Sequence, residues 1–352
     1  MENTFVELTG FNKLTVVKQL LPELKSNEVL TRMSKVGLCG TDLGMVYKGK
    51  LIDSPLTYPS GVGHEASGVV AKVGKDVTHL KPGDRVVMEP GNPCLACDMC
   101  YNSKYNVCDK ATFHKDVVIY PGMLGKYYIN KANFTYKLPD NVTDEEGAMM
   151  EPLAVAVHAC RRAEIKFGCS VLITGAGPIG LLCLVAAKAM GATKIIVTDI
   201  KANRLVLAKK LGASNTLVVD SQGSQAKEDA KKVREELGLA PDITFECSGT
   251  TSGMTLALYA TIPRGVVMVV GLLPAEITLP LGGALINELD IRGVYRFVDS
   301  FPLAIEMVAK GLVDINPLIT HRFKFEEFQK AFDMFHTGQD GAIKCMISAP
   351  TS

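Results

Sequence analysis

No run of five or more like charges occurs in this sequence, and its 38 basic and 37 acidic residues nearly cancel, leaving a formal net charge of +1. A polyanion-seeking surface is therefore not expected, and nucleic acid is set aside as a partner. Internal repeats and low-complexity segments are absent as well, so the chain reads as globular. The opening MENTFVELTGFNK has an early acid and no continuous apolar core, which does not read as a secretory signal. One long stretch, Phe167 to Ala187, carries no charge, but three glycines and a proline stand in its middle. That pattern suits a strand, a turn and a helix better than a bilayer span. A soluble, cytoplasmic protein with no membrane partner is expected. In a reducing compartment its ten cysteines should be thiols or metal ligands rather than disulfides. The NFT and NVT tripeptides at Asn133 and Asn141 are then chance matches to glycosylation acceptors.

What is present points to two domains, since 352 residues exceed what one core usually organises. Hydrophobic residues at 47% and charged residues at 21% are ordinary for a globular protein. The first 150 residues are rich in Gly, Pro and short β-type runs such as EVLTRMSKVGLCG, ASGVVAKVG, DRVVMEP and KYYIN, an irregular, mostly β region. From about Ser170 the apolar runs VLIT, KIIVTD, TLVVD, DITFEC and GVVMVVG alternate with amphipathic stretches, which argues a parallel sheet covered by helices. ELDIRGV near 288–294 makes a sixth strand, and DSFPLAIEMVAKGL one more helix. The tail from Pro317 is mixed in character and is expected to return to the first domain.

VLITGAGPIG places Gly175, Gly177 and Gly180 in a G-x-G-x-x-G array after a strand and before the helical LLCLVAAKAMGA. In that context Gly175 allows a tight turn, Gly177 lets the backbone approach a pyrophosphate, and Gly180 lets helix and strand pack closely. The free N–H groups of the helix start attract phosphate. Asp199 ends the next strand, nineteen residues beyond Gly180, where a carboxylate accepts from both ribose hydroxyls of NAD and repels a 2′-phosphate. Lys201 and Arg204 follow closely and leave some room for NADP, although NAD is the expected cofactor.

Cys94, Cys97, Cys100 and Cys108 follow C-x2-C-x2-C-x7-C. Four thiolates fill a tetrahedral zinc and leave no position for substrate, so this cluster reads as scaffold; an iron–sulfur cluster is the rival reading. Catalysis needs a metal with an unfilled position. GLCGTD supplies Cys39 and GHEASG supplies His64 and Glu65, and one thiolate, one imidazole and one carboxylate leave zinc open to water or alcohol.

At this point the residues resemble a known family. GHEASGVVAKVGKDV looks like the zinc signature of the medium-chain alcohol dehydrogenases, and EPLAVAVHACRRA at 151–163, GAGPIGLL, IVTDI and PLITHRF at 317–323 are similar to its sorbitol (polyol) dehydrogenase branch. The resemblance covers nearly the whole chain. It implies an α/β protein in which a GroES-like, mostly β catalytic domain spans 1–155 and a doubly wound Rossmann domain spans 156–290. Residues 291–352 would hold the last Rossmann strand and the return to the catalytic domain. It also implies a catalytic zinc on Cys39, His64 and Glu65, with Glu151 meeting the zinc-bound water or replacing a ligand, and a structural zinc on the four clustered cysteines. Thr41 matches the hydroxyl that begins a proton relay, and Arg296 matches an arginine near the substrate. Ile179, Asp199, Arg204, Val270, Gly271, Leu272, Val294 and Tyr295, with Arg296 beside them, match cofactor contacts. The implied activity is oxidation of a secondary alcohol to a ketone, with zinc stabilising the alkoxide and hydride passing to nicotinamide C4.

Three positions depart from the branch. Gly44 and Met45 stand where a His-Tyr pair is usual, and Phe297 stands for a tyrosine. Losing two phenols is expected to weaken the hold on a polyhydroxy chain. Sorbitol or xylitol leads as substrate, with threonine or a diol as the alternative within the family. A zinc-free quinone reductase and a non-catalytic redox sensor are the remaining rivals, and both should have lost Cys39, His64 or Glu65. The resemblance further implies a homo-oligomer, often a tetramer, built by edge pairing of Rossmann sheets, for which GVVMVVG at 265–271 and the apolar LLPAEITLPLGG after it are candidates.

Overall fold

The computed structural model describes residues 1–51, 54–111 and 121–350. They fall into two compact units. The first comprises Met1–Glu151, Ala304–Lys310 and Leu318–Ser352; the second comprises Pro152–Leu303 and Gly311–Pro317.

Long strands with alternating burial build the first unit. Strand Glu28–Gly37 is its axis, pairing antiparallel with Glu65–Val73, with Tyr127–Lys131 along its first half and with Lys344–Ser348 along its last residues. The sheet runs from Thr135–Lys137 through Arg85–Met88, Glu65–Val73, Glu28–Gly37 and Lys344–Ser348 to Ile319–Phe323. The last two of these are parallel, and helix Phe328–Thr337 carries the chain between them, as a parallel pair requires. A second, smaller sheet holds the hairpin Glu2–Gly10 and Lys13–Leu20. Val29, Met33, Val36, Leu38, Val62 and Ile347 are among the fully enclosed side chains between these layers, each contributing about 1.5–3 kcal/mol by burial. Residues Leu318–Ser352 belong to the first unit, to which they give two strands and a helix.

The second unit carries a six-stranded parallel sheet ordered Asn215–Val218, Lys194–Asp199, Ser170–Thr174, Ile243–Glu246, Val266–Val269, Asp290–Gly293. Counted along the chain this is 3-2-1-4-5-6, the doubly wound dinucleotide-binding order, which reverses between Ser170–Thr174 and Ile243–Glu246. Residues buried on both faces explain why its inner strands read as continuous apolar runs. The uncharged stretch from Phe167 is strand Ser170–Thr174, a turn, and helix Pro178–Ala189. Among the described residues no helix is long and apolar enough to cross a membrane.

One expectation shifts. The second unit includes Pro152–Leu303, and strand Asp290–Gly293 closes its sheet on one side. The apolar strand Val266–Val269 is not an edge. It lies between Ile243–Glu246 and Asp290–Gly293, so the outer strand on this side is the more polar Asp290–Gly293.

Candidate metal centres and dinucleotide site

Cys39 directly follows the axial strand and caps helix Gly40–Lys48, its sulfur accepting from the Thr41 backbone N–H at 3.5 Å. The Thr41 hydroxyl lies 3.6 Å from the same sulfur. Asp42 closes the cap. One of its oxygens accepts from the Cys39 N–H at 3.0 Å; the other accepts from the Gly63 N–H at 3.0 Å and stands 3.3 Å from His64 Nδ1. Asp42 is fully buried, so one enclosed carboxylate ties the Cys39 loop to the His64 loop. Burial alone would raise its pKa. The His64 imidazole beside it, with the Cys39 and Gly63 N–H groups, outweighs that and holds it below 3.8. Sequence reading passed over Asp42, although GLCGTD contains it and an acid three residues after a cap is a capping-box signal.

His64 presents its second ring nitrogen on the side away from Asp42. Burial disfavours a charged imidazole, but Asp42 and Cys39 reverse this and raise its pKa well above 6.5. Glu65 begins strand Glu65–Val73 opposite Gly37, where a Cβ would stand 2.6 Å from a Glu65 carboxylate oxygen. Lys344, 1% exposed, reaches the two Glu65 oxygens at 2.6 and 2.9 Å and the Leu38 carbonyl at 2.8 Å. Burial would discharge Lys344, but Glu65, Cys39 and Glu151 keep its pKa above 10.5.

Donor atoms of Cys39, His64 and Glu65 all lie within 4.8 Å of one another. Among the described residues, three buried carboxylates, Asp42, Glu65 and Glu151, stand here with the buried Lys344 and His64, a donor-rich setting in which a divalent cation would offset negative charge. A thiolate, an imidazole and a carboxylate fit zinc with one position open. Glu151 is 7% exposed in the same unit but is not one of the three converging donors.

The second cluster is closed. Its sulfurs stand 3.6 Å apart for Cys97–Cys100 and Cys94–Cys108, 3.8 Å for Cys97–Cys108 and 4.0 Å for Cys94–Cys100. Zinc–sulfur bonds of about 2.3 Å in a tetrahedron demand roughly 3.8 Å, whereas a four-iron cube spreads its cysteines over separate irons. The thiols titrate against each other: the Ala96 N–H pulls Cys94 down to about 7, and burial among its neighbours pushes Cys100 up to about 11. Tyr105, inside this lobe, donates to the buried Glu89 at 2.8 Å, and Tyr136 donates to the same carboxylate at 2.9 Å.

In the second unit the glycine turn has the expected form. Gly175 sits at φ +92°, and a Cβ on Gly180 would fall 1.8 Å from the Gly175 carbonyl oxygen. A cavity of about 340 Å³ opens there, lined by Gly175, Gly177, Asp199 and Arg204, with Asp220, Asp229 and the hydroxyl residues Ser221, Ser248, Thr250 and Ser252. Asp199 accepts from the Ala176 and Lys201 N–H groups at 2.7 and 2.8 Å, which points its carboxylate at a fixed spot, and Arg204 lies 3.8 Å from it. The acids and hydroxyls beyond Asp199 carried no sequence signal. Ile179, at the helix start, does not line this cavity, nor do Val270, Gly271, Leu272, Val294, Tyr295 and Arg296. Val270 and Gly271 donate to the Glu246 carbonyl, and Val294 donates to the Val269 carbonyl; Arg296 has a positive φ of 55°.

Two of the three departures prove to be core residues. Met45 is fully enclosed in the first unit's apolar cluster. Phe297 is 1% exposed and packs edge-on against Phe301, centroids 5.2 Å apart. Without a phenol to satisfy, both side chains bury completely.

A zinc-holding, dinucleotide-binding dehydrogenase is the class that this fold and these donor sets define. Residues 25–140 match the family model described as the alcohol dehydrogenase GroES-like domain, and residues 178–310 match that described as zinc-binding dehydrogenase. The chain is 45% identical to human sorbitol dehydrogenase over 350 residues, covering 99% of this chain and 97% of that protein. Among solved structures, an Escherichia coli oxidoreductase of unknown specificity superposes with a TM-score of 0.91 at 34% identity, covering 99% of this chain and all of the other. A Sinorhizobium meliloti protein solved with NADP gives 0.89 at 26% identity, covering 99% of each. The chain belongs to the zinc-dependent medium-chain alcohol dehydrogenases, in their sorbitol dehydrogenase branch.

Proposed function

We propose that this dehydrogenase oxidises a polyol of the sorbitol or xylitol class to a ketose with NAD as acceptor, and that it holds two zinc ions. The carrying observation is the convergence of Cys39, His64 and Glu65 donors within 4.8 Å in a chain 45% identical to a sorbitol dehydrogenase. These three hold the catalytic zinc, and Cys94, Cys97, Cys100 and Cys108 hold the structural one. Zinc supplies acidity to an alcohol hydroxyl, and the dinucleotide supplies the hydride acceptor. The chain's own groups do the rest. Thr41, beside the Cys39 sulfur, accepts the substrate hydroxyl's proton as its own hydroxyl proton passes outward to solvent, so that the relay begins there. Asp42 orients His64, Lys344 balances the charge of Glu65, and Glu151 presents a further buried carboxylate to the site. Arg296 contacts the substrate.

Ile179, Val270–Leu272, Val294 and Tyr295 complete the cofactor contacts that the glycine turn begins. For the cofactor, Asp199, Asp220 and Asp229 surround a cavity with one guanidinium, that of Arg204, which disfavours a 2′-phosphate and supports NAD over NADP.

The protein works in the reducing cytoplasm, consistent with ten cysteines outside disulfides, five of them placed as metal ligands, and forms a homo-oligomer, a tetramer. The support is an apolar surface beside the outer strand: Leu281, Leu285 and Ile286 are 52%, 80% and 80% exposed, and Ile291 on the strand is 43% exposed. A second copy of the chain covers it; a monomer in sedimentation analysis would remove this part. The activity is tested by NADH formation from sorbitol, xylitol, threonine and butane-2,3-diol. Turnover of the polyols is expected; turnover of threonine or the diol alone would keep the chemistry and sink the substrate class.

A further inference from the structure

We propose that Glu246 is a positioning residue for the dinucleotide, holding in place two turns, one of them at the point where the strand order reverses. The inference rests on the reading that the Rossmann cavity takes NAD. Glu246 ends strand Ile243–Glu246 and stands beside Thr174, the residue just before the glycine turn. It is fully buried, yet it contacts neither metal cluster and has no part in the chemistry above. A buried carboxylate is costly unless its acceptors are filled, and here neighbouring loops fill them. It accepts from the Ser248 N–H at 2.9 Å, from the Gly249 N–H at 3.1 Å, from the Ser248 hydroxyl, and from the Thr174 hydroxyl at 3.3 Å. Its own carbonyl accepts from the N–H groups of Val270 and Gly271 at 2.9 and 2.7 Å.

One residue therefore grips two turns. Its side chain holds the turn after its own strand, whose Ser248 and Thr250 line the cavity, and its main chain holds the turn after strand Val266–Val269. The fit is close. A Cβ on Gly271 would stand 2.3 Å from the Gly249 nitrogen and 2.9 Å from a Glu246 oxygen, so the turns touch only while position 271 lacks a side chain. Ligands of doubly wound sheets bind outside the carboxyl ends of the strands at such a reversal, and a loop that must be ordered on binding weakens affinity. Glu246 supplies that order beforehand.

The test is NADH affinity by calorimetry, with zinc content as an internal control on the other unit. Glu246→Ala removes every side-chain acceptor, and NADH affinity should fall tenfold or more with zinc content unchanged. Glu246→Gln keeps one acceptor oxygen and should restore affinity to within about threefold of wild type. In turnover, Glu246→Ala should raise KM for NAD while changing kcat less than threefold. Glu246→Ala binding NADH like wild type would overturn the proposal, as would Glu246→Gln binding as poorly as Glu246→Ala. Should Glu246→Ala fail to fold, Glu246→Asp decides: it withdraws the carboxylate by one methylene from the Ser248 and Gly249 N–H groups, and unchanged NADH affinity would count against the proposal. Wild-type protein that bound no NADH would instead sink the cofactor reading beneath it.

Discussion

Replacing Asp42 by asparagine probes the catalytic metal site without touching a ligand. Both oxygens of Asp42 are in use, one by the Cys39 N–H and the other by the Gly63 N–H and His64 Nδ1. Asparagine offers one oxygen and one NH2, so an amide donor must face either the Cys39 N–H or the pair formed by Gly63 and His64. At least one charge-assisted bond is lost, costing about 1.5–3 kcal/mol. A residue that orients a ligating histidine usually changes metal affinity by about 10–100-fold when altered. The clustered cysteines share no contact with Asp42, so their zinc should be unaffected. The assay is competition with a coloured chelator, counting zinc released at each chelator concentration. Asp42→Asn should release one zinc at 10–100-fold lower chelator and the other at the wild-type concentration. Identical release curves for the two proteins would refute the claim that Asp42 ties the two ligand loops.

Three further outcomes are expected. Asp199→Ala should raise the ratio of kcat/KM for NADP to that for NAD by tenfold or more, measured with one alcohol under both cofactors. Gly37→Ala pushes a methyl group to 2.6 Å from a Glu65 oxygen that Lys344 already pins; chemical denaturation should show a loss of about 1–3 kcal/mol, and zinc affinity should fall with it. The Glu145 carboxyl is held below 4.5, chiefly by hydrogen bonds from Arg322, with Lys35 adding to it. Its stabilisation is therefore complete above pH 4.5 and is lost as pH falls through the lower folded value. Thermal melts of Glu145→Gln from pH 3 to pH 7 should show a lower Tm than wild type at neutral pH, the gap closing in acid; a constant gap would contradict the assignment.

Much of this was legible in the sequence, and the reason differs by region. Inner strands of a parallel sheet are apolar on both faces, so VLIT, KIIVTD and DITFEC stand out as runs. Cysteine spacing reports a closed tetrahedron because all four ligands lie on one short lobe. An apolar run could equally mark an edge or an interior strand: Val266–Val269 is apolar because it is interior, and the outer strand Asp290–Gly293, although legible as a strand, is too polar to stand out as an edge. Long-range pairing was out of reach. Lys344 and Glu65 are 279 residues apart, and nothing local marks a lysine as buried. Asp42 looks like an ordinary helix cap until Gly63 and His64 are brought against it. Met45 and Phe297 read as altered pocket residues, whereas the fold turns both into its cores.

The most direct test of the account is stepwise chelation of the wild-type protein, recording zinc content and NADH formation from sorbitol on the same samples. The account predicts that turnover disappears with the first zinc removed, from Cys39, His64 and Glu65, while the four-cysteine zinc stays bound, and that one equivalent of zinc restores it. Sorbitol turnover that persisted after that zinc had gone would contradict it.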